Sequence, residues 1–460
     1  MIHQELIHPF ETDVPAPESS QDTRHVYIET FGCQMNEYDT ELVRSLLKRQ
    51  GFAFTDHCDH ADVVLLNTCA IRENAHNRVY GHLGNLKNLK KERGLVIGVL
   101  GCMAQNLKQE LLETQPFIDV LVGPDGYRQL PQLLTKAIET QTQGLSVDLS
   151  EYETYERIIP ERTEGVNAWI AVMRGCDNFC TFCVVPYTRG RERSRDPRGI
   201  LHEAQHLVEK GYKQITLLGQ NVNSYRFEDW DFARLVVAIA DLSGIERVRF
   251  MSPHPKDFPP ALLDAVAQHP KVCSHIHLPV QSGNDRVLEA MGRCYTRAEY
   301  LHLVEEIRRR GDIPITTDII CGFSGETDTE FRDTYRLMEE VGYLSSYVFK
   351  YSERKNTIAA RKFSDDIPES VKIERVAELI DFQKQFSLRK NREWIGRTVE
   401  VLIEGDAKKS SSQWVGHTEH NTTVVWDKSL HICGPGELLS IIVKDASAST
   451  LFGRPIDAPL

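Results

Sequence analysis

The sequence predicts an α/β protein with three parts: an N-terminal parallel-sheet domain, a central partial (β/α) barrel and a small C-terminal all-β barrel. Three observations carry that expectation. Short apolar runs alternate with helical patterns from Arg24 to about Gly123, the alternation resumes in longer units from Ala168, and after Gly396 it gives way to short β runs separated by turn residues. Alternating strand and helix signals imply parallel sheets, and closely spaced short strands imply a small barrel.

In the first unit, residues 25–31, 62–67, 95–100 and 118–122 read as strands. Residues 39–50 and 72–93 read as helices, with Gly51 and Gly94 where a helix commonly stops. Residues 124–163 lose the rhythm and read as a helix plus a polar linker. In the second unit the candidate strands are 169–173, 214–218, 247–251, 275–279, 315–320 and 344–351. Helical patterns such as 199–210, 232–241 and 297–310 lie between them. Six such units suggest a partial barrel. A long amphipathic helix over 369–394 leaves it, and runs at 398–403, 414–418, 422–426 and 438–443 form the last unit. The expected division is a flexible tail 1–23, a sheet domain 24–140, a linker 141–163, a barrel 164–395 and a β module 396–460.

A chain of 460 residues has room for about three domains. With 41% hydrophobic and 26% charged residues it is an ordinary globular sequence, which excludes wholesale disorder. The formal net charge is −12, so bulk charge repels nucleic acid and any RNA contact needs a local basic patch. No apolar run approaches the ~18 residues of a membrane span. The N-terminal twenty residues lack a basic segment before an apolar core, so no secretory signal is expected and a cytoplasmic location is. Eleven cysteines, an odd number, then point away from a disulfide scaffold and toward metal or cluster ligation.

Cys176, Cys180 and Cys183 form C-x3-C-x2-C directly after the first barrel strand, with the aromatic Phe182 before the last cysteine. That is a βα loop at the carboxyl face, where barrel active sites are built. Three thiolates in one loop can hold three irons of a 4Fe-4S cube and leave the fourth open to a small molecule. Structural zinc takes four protein ligands, and no histidine is near in sequence. Cys33, Cys69 and Cys102 are isolated, but each follows a predicted strand of the first sheet, at intervals of 36 and 33 residues. Open parallel sheets bind ligands outside the carboxyl ends of their strands, so the three could form a second site. Three buried free cysteines is the competing reading. Cys58, Cys273, Cys294, Cys321 and Cys433 show no pattern. At other strand ends, Gln220 and Asn221 are polar groups on the active face, and Gly322, Gly325 and Glu326 form a turn that could approach a ligand or simply connect strand to helix.

The cysteine loop resembles the signature of the radical S-adenosylmethionine (SAM) superfamily. The longer string from Cys176 to Arg195, with Val184-Val185-Pro186-Tyr187-Thr188-Arg189-Gly190-Arg191, is similar to the methylthiotransferase family, in particular its branch acting on isopentenyladenosine of tRNA. The likeness runs from about His25 to Phe452. It includes Tyr27 to Asn36, Asn67 to Asn74, Gly101 to Gln105 and His277-Leu278-Pro279-Val280-Gln281-Ser282-Gly283, and the last β segment resembles the RNA-binding TRAM domain. The resemblance implies two 4Fe-4S clusters. Cys176, Cys180 and Cys183 would hold the one that binds SAM and generates a 5′-deoxyadenosyl radical. Cys33, Cys69 and Cys102 would hold an auxiliary cluster carrying the sulfur. Phe182, Gln220, Asn221, Gly322, Gly325 and Glu326 are the candidate SAM contacts. The expected reaction converts isopentenyladenosine at tRNA position 37 to its 2-methylthio derivative, with one SAM as methyl donor and one as radical source.

Expected partners are the tRNA, an electron donor protein and a sulfur source or iron–sulfur carrier, with no membrane. Sister reactions on threonylcarbamoyladenosine of tRNA or on an aspartate of a small-subunit ribosomal protein are the alternatives, and a non-catalytic iron–sulfur RNA-binding or redox-sensing protein is the different class. Asp177 stands where the family usually has Asn, and Ser324 where it usually has Pro; neither is a cluster ligand. The string from Arg189 to Arg198 holds five arginines against Glu192 and Asp196, and Lys384, Arg389, Lys390 and Arg392 form a second cluster. Both are read as candidate phosphate contacts, with a solvated or internally paired face as the competing reading. Trp414, Trp426 and His417 could stack bases or fill a core.

Overall fold

The runs Val-Val-Leu-Leu-Asn-Thr and Val-Ile-Gly-Val-Leu-Gly are apolar on both alternating faces, which suits strands covered on two sides. A computed structural model of the chain, describing residues 23–70, 73–162 and 165–457, places them at the centre of a six-stranded parallel sheet. Of the expected tail only Thr23 lies within the described residues, and residues 71–72, inside the motif segment 67–74, lie outside them.

Across that sheet the strands run Ala53–Phe54, His25–Phe31, Val63–Thr68, Val96–Gly101, Val120–Val122 and Gly144–Ser146. The chain steps outward from His25–Phe31 and then crosses back, so the order reverses between His25–Phe31 and Val63–Thr68. The carboxyl ends beside such a reversal form a crevice. Val63 and Leu65 pack on one face with the helices Gln34–Lys48 and Leu130–Thr140; Val64 and Leu66 pack on the other with Glu73–Arg93.

Three expectations need correction. The first helix begins at Gln34, not at 39, because its inward positions Asn36, Asp39 and Thr40 are polar yet buried, and an apolar pattern cannot reveal them. Two edge strands, Ala53–Phe54 and Gly144–Ser146, lie outside the expected elements, each too short to show a period. The second lies inside the expected linker 141–163, which continues as a buried strap: Tyr155 and Ile158 join the sheet's core.

The central unit has six parallel strands in two groups. Asn167–Ala171, Gln214–Leu218 and Arg247–Phe250 form one, and Ile276–His277, Ile315–Cys321 and Ser345–Lys350 the other. A single bridge between Val248 and Val272 links the groups. Among the described residues no ladder joins Asn167–Ala171 to Ser345–Lys350, so the barrel is an open arc. Helices Pro197–Glu209, Phe232–Ala240, Arg297–Arg310 and Asp328–Val341 bury its outer face. The helix Glu369–Arg392 packs along Ser345–Lys350 and leads into a closed five-stranded barrel formed by Thr398–Ala407, Ser410–His417, Thr423–Asp427, Thr450–Pro455 and Leu438–Ala446. That module docks where two arc strands begin: Arg249 donates to Thr418 O (2.6 Å) and Glu419 O (2.8 Å), and His420 Nδ1 lies 2.8 Å from Ser274 O. No helix of the described residues is long and apolar enough to cross a membrane.

Candidate active site at the strand ends

All eleven cysteines are unbridged, and six of them collect at the carboxyl ends of the two sheets. Cys33 sits at the N-cap of Gln34–Lys48, Cys69 follows Val63–Thr68, and Cys102 opens the short helix Cys102–Leu107. Glycines make the close approach possible. At Gly101 the backbone is left-handed (φ +87°), and a Cβ there would meet Asn67 Oδ1 at 2.5 Å; at Gly32 it would meet Asn36 Oδ1 at 2.5 Å and Cys69 Cβ at 3.0 Å. The buried amides Asn36 and Asn67 lock the loops together, with Asn36 Nδ2 donating to Asn67 Oδ1 (3.2 Å) and Asn67 Nδ2 to Asn36 O (2.9 Å).

The thiols of this triad differ in character. A hydrogen bond from the Cys69 thiol, together with the nearby Arg189 charge, overcomes burial and holds Cys33 down to about 6. Burial pushes Cys102 up, although Arg189 Nε donates to its sulfur at 3.2 Å.

Cys176, Cys180 and Cys183 lie in the loop after Met173–Arg174. Gly175 (φ +81°) has no room for a Cβ, which would fall 1.9 Å from Arg191 O. Cys176 N–H donates to Gly190 O (3.1 Å), Cys183 N–H to Cys180 O (3.0 Å) and Thr181 N–H to Met291 O (2.8 Å), so the loop is held by the returning chain at Gly190, by itself and by the barrel. Burial raises Cys176 to about 11 and Cys183 to about 12. Arg293 Nη1 donates to Cys180 Sγ at 3.4 Å, a contact with no signal in the sequence. Phe182 packs beside Met291, Phe323 and Tyr351.

The two triads are neighbours. Cys102, Ala70 and Val184, the residue after Cys183, form one small buried cluster, and Cys102–Leu107 packs on the helix Val185–Thr188. Among the described residues no three His, Cys, Asp or Glu side chains converge tightly enough for a single metal ion. Thiol-only donor sets suit iron–sulfur clusters, whose corners spread their ligands further apart than one ion does. The residues present fit that group.

The other predicted site residues occupy the same face with different duties. Gln220 Oε1 accepts from Gly175 N–H (2.6 Å) and so braces the cysteine loop. Asn221 Nδ2 reaches Glu192 (3.3 Å) and Asp257 (3.4 Å), while its buried Oδ1 has no partner. Such an orphaned polar atom at a strand end fits a polar ligand. Gly322 (φ +72°) and Gly325 (φ +71°) shape the turn after Ile315–Cys321. Glu326 is committed inward, accepting from Gly322 N–H (2.7 Å) and Arg375 Nη1 (2.8 Å).

The arginine string is not the basic surface expected of it. Arg189 and Arg174 both pair with Asp39, which is 0% exposed (2.8 and 2.7 Å). Arg193 pairs with Asp125 (2.8 Å), and Arg195 with Glu203 (2.8 Å) and Tyr38 OH (3.0 Å). Only Arg191 and Arg198 of the five reach solvent. Charge counting could not distinguish this from a phosphate site, because the acidic partners come from residues up to 150 positions away. In the small barrel, Trp426 is core and Trp414 packs against that core under Lys428 Nζ, 4.1 Å from its ring. His417 Nδ1 pairs with Glu404 (2.9 Å). Lys384, Arg389, Lys390 and Arg392 remain on the surface of the exit helix, with Lys390 beside Glu393.

Comparison with known proteins agrees with this geometry. Residues 25–123 match the profile of Uncharacterized protein family UPF0004, residues 170–338 that of the Radical SAM superfamily, and residues 392–456 the TRAM domain. The tRNA-2-methylthio-N(6)-dimethylallyladenosine synthase of Porphyromonas gingivalis is 45% identical over 465 residues, covering 99% of both chains. The protein of the same name from Bacteroides thetaiotaomicron is 45% identical over 447 residues, covering 95% of this chain and 97% of the relative. Among solved structures, the radical SAM methyltransferase TsrM from Kitasatospora setae superposes with a TM-score of 0.57 at 16% identity, covering 74% of this chain and 77% of that one. That likeness is one of fold.

Proposed function

This chain belongs to the tRNA-2-methylthio-N(6)-dimethylallyladenosine synthase family, and from that premise we propose how its own residues divide the reaction. The protein is a radical SAM methylthiotransferase that converts N(6)-isopentenyladenosine next to the tRNA anticodon to its 2-methylthio derivative, with 4Fe-4S clusters and SAM as cofactors. When bound, these cofactors supply homolytic cleavage of SAM, a methyl group and the sulfur atom.

Cys176, Cys180 and Cys183 hold the cluster that binds SAM, and Cys33, Cys69 and Cys102 hold the auxiliary one. Phe182 closes the apolar side of the SAM site. Asn221 and the Gly322–Gly325 turn present polar groups to the ligand, while Gln220 and Glu326 keep the loop and the turn in place. The observation that supports this reading is the packing of Cys102 against Val184: with Cys102 as an auxiliary ligand, the sulfur-bearing site would lie beside the radical loop. Chemistry at one adenine carbon needs both within reach of the same atom, and effective concentration falls steeply when they are not. The enzyme acts in the cytoplasm, where an electron donor protein and a sulfur source or iron–sulfur carrier serve it.

Nucleoside mass spectrometry tests the reading. Anaerobically reconstituted protein with SAM, a reductant and isopentenylated tRNA should add a methylthio mass to isopentenyladenosine. The Cys176→Ala, Cys180→Ala, Cys183→Ala variant should yield no 5′-deoxyadenosine. The Cys33→Ala, Cys69→Ala, Cys102→Ala variant should still yield it but add no sulfur; methylthiolated product from that variant would overturn the assignment.

A further inference from the structure

Arg189 carries more than an interior salt bridge. Its Nε donates to Cys102 Sγ at 3.2 Å and its Nη2 to Asp39 Oδ2 at 2.8 Å, and it caps the helix Val185–Thr188 directly before Gly190, whose carbonyl accepts from Cys176 N–H of the radical loop at 3.1 Å. One residue therefore touches a ligand of one triad and is covalently continuous with the support of the other.

The local charge count is unbalanced. Arg174 and Arg189 share the single carboxylate of Asp39, whose only other partner among the described residues is the neutral Tyr127 hydroxyl at 3.2 Å. The neighbouring Arg193 is neutralised by Asp125. Two guanidiniums on one carboxylate leave one buried positive charge for the auxiliary thiols to balance, and the N–H groups Arg189 Nη1, Arg174 Nε and Arg174 Nη1 have no acceptor. An uncompensated interior cation is costly unless an anion lies against it. Three thiolates on an oxidised 4Fe-4S core leave a net negative charge, and Arg189 already points at one of those sulfurs.

We propose that Arg189 is the positioning residue of the auxiliary site: it fixes Cys102 by a charge-assisted hydrogen bond and places the excess positive charge where the bound cluster is negative, which favours the cluster's reduced form. Potentials of such clusters follow net charge and hydrogen bonds to the sulfurs. The proposal rests on the reading of Cys33, Cys69 and Cys102 as the auxiliary ligands.

The test uses the full chain carrying Cys176→Ala, Cys180→Ala and Cys183→Ala, so that only the auxiliary cluster is present. Arg189→Gln and Arg189→Lys are compared with this parent by iron content, potentiometric titration and electron paramagnetic resonance of the reduced cluster. Arg189→Gln should lower the ratio of reduced to oxidised cluster at a fixed potential about tenfold, the scale of one charge-assisted hydrogen bond that strengthens with the added electron. Arg189→Lys, which keeps the charge, should recover part of the loss. Unchanged potential and spectrum in Arg189→Gln would overturn the proposal. So would equal loss of thermal stability and iron in both variants without a shift in potential, since that marks a merely structural strut. If the parent binds no cluster, or keeps one after Cys33, Cys69 and Cys102 are also replaced, the ligand assignment fails instead.

Discussion

Replacing Arg195 by alanine separates an interior strut from an RNA contact. The side chain is 3% exposed and its Nη1 donates to Glu203 Oε2 (2.8 Å), Tyr38 OH (3.0 Å) and Ala171 O (2.9 Å). Tyr38 belongs to the first sheet domain and Ala171 and Glu203 to the arc, so the guanidinium bridges the two units. Breaking a buried ion pair by removing one partner costs ~3–5 kcal/mol, because the other charge stays desolvated. Glu203 retains Arg162, which puts the expected loss near the low end, about 3 kcal/mol. At ~1.4 kcal/mol per decade, that lowers the ratio of folded to unfolded chain about a hundredfold. Arg191→Ala, in the same string but 68% exposed with one ion pair to Asp177 and its guanidinium over the Phe179 ring, should cost about 1 kcal/mol or less.

Urea unfolding of both variants, followed by circular dichroism, measures the difference. Binding of an anticodon stem-loop across a salt series gives the second readout. The strut reasoning predicts an early transition for Arg195→Ala with an unchanged salt slope per bound RNA. It is refuted if Arg195→Ala unfolds like the parent while the slope of log affinity against log salt falls by about 0.7–0.9, the mark of one lost phosphate contact.

Further predictions concern the glycines, the amides and the small barrel. Gly175→Ala should abolish 5′-deoxyadenosine formation and the iron of the radical loop alone, since its Cβ would collide with Arg191 O at 1.9 Å in a left-handed conformation. Asn67→Ala unlocks the loops bearing Cys33 and Cys69; iron analysis should show loss confined to the auxiliary site, with SAM cleavage retained. Trp426→Ala removes the largest side chain of the C-terminal barrel core and should cost ~3–5 kcal/mol there. A separate low-temperature transition in calorimetry and weaker tRNA binding would follow, with RNA-independent SAM cleavage unchanged.

How much was legible without coordinates differs from feature to feature, and the reason is physical. The C-x3-C-x2-C loop could be read directly because its ligands are close in sequence and strand-end placement follows from the alternation that precedes it. Cys33, Cys69 and Cys102 could be read only as a possibility from spacing, because convergence depends on strand order. The reversal between His25–Phe31 and Val63–Thr68 brings their ends together. Strand and helix identities survived wherever apolar periodicity was long, as in Ile315–Cys321 or Arg297–Arg310. They failed where inward positions are polar, as at the start of Gln34–Lys48, or where an element has two or three residues and borrows its stability from a neighbour's hydrogen bonds.

The sequence by itself determined the three-part α/β architecture, the cluster-binding cysteines of the radical loop as candidates, and the family. Those properties are local: periodicity, turn residues and ligand spacing act over a few residues. Only the tertiary structure decided what the arginines do. A guanidinium's role depends on which carboxylate desolvates with it, and Asp39 and Asp125 reach Arg189 and Arg193 from a different domain. The same long-range folding sets Cys102 against Val184 and leaves an excess buried cation beside the auxiliary thiols. No count of charges along the chain contains that arrangement, because it arises from the docking of two separately encoded sheets.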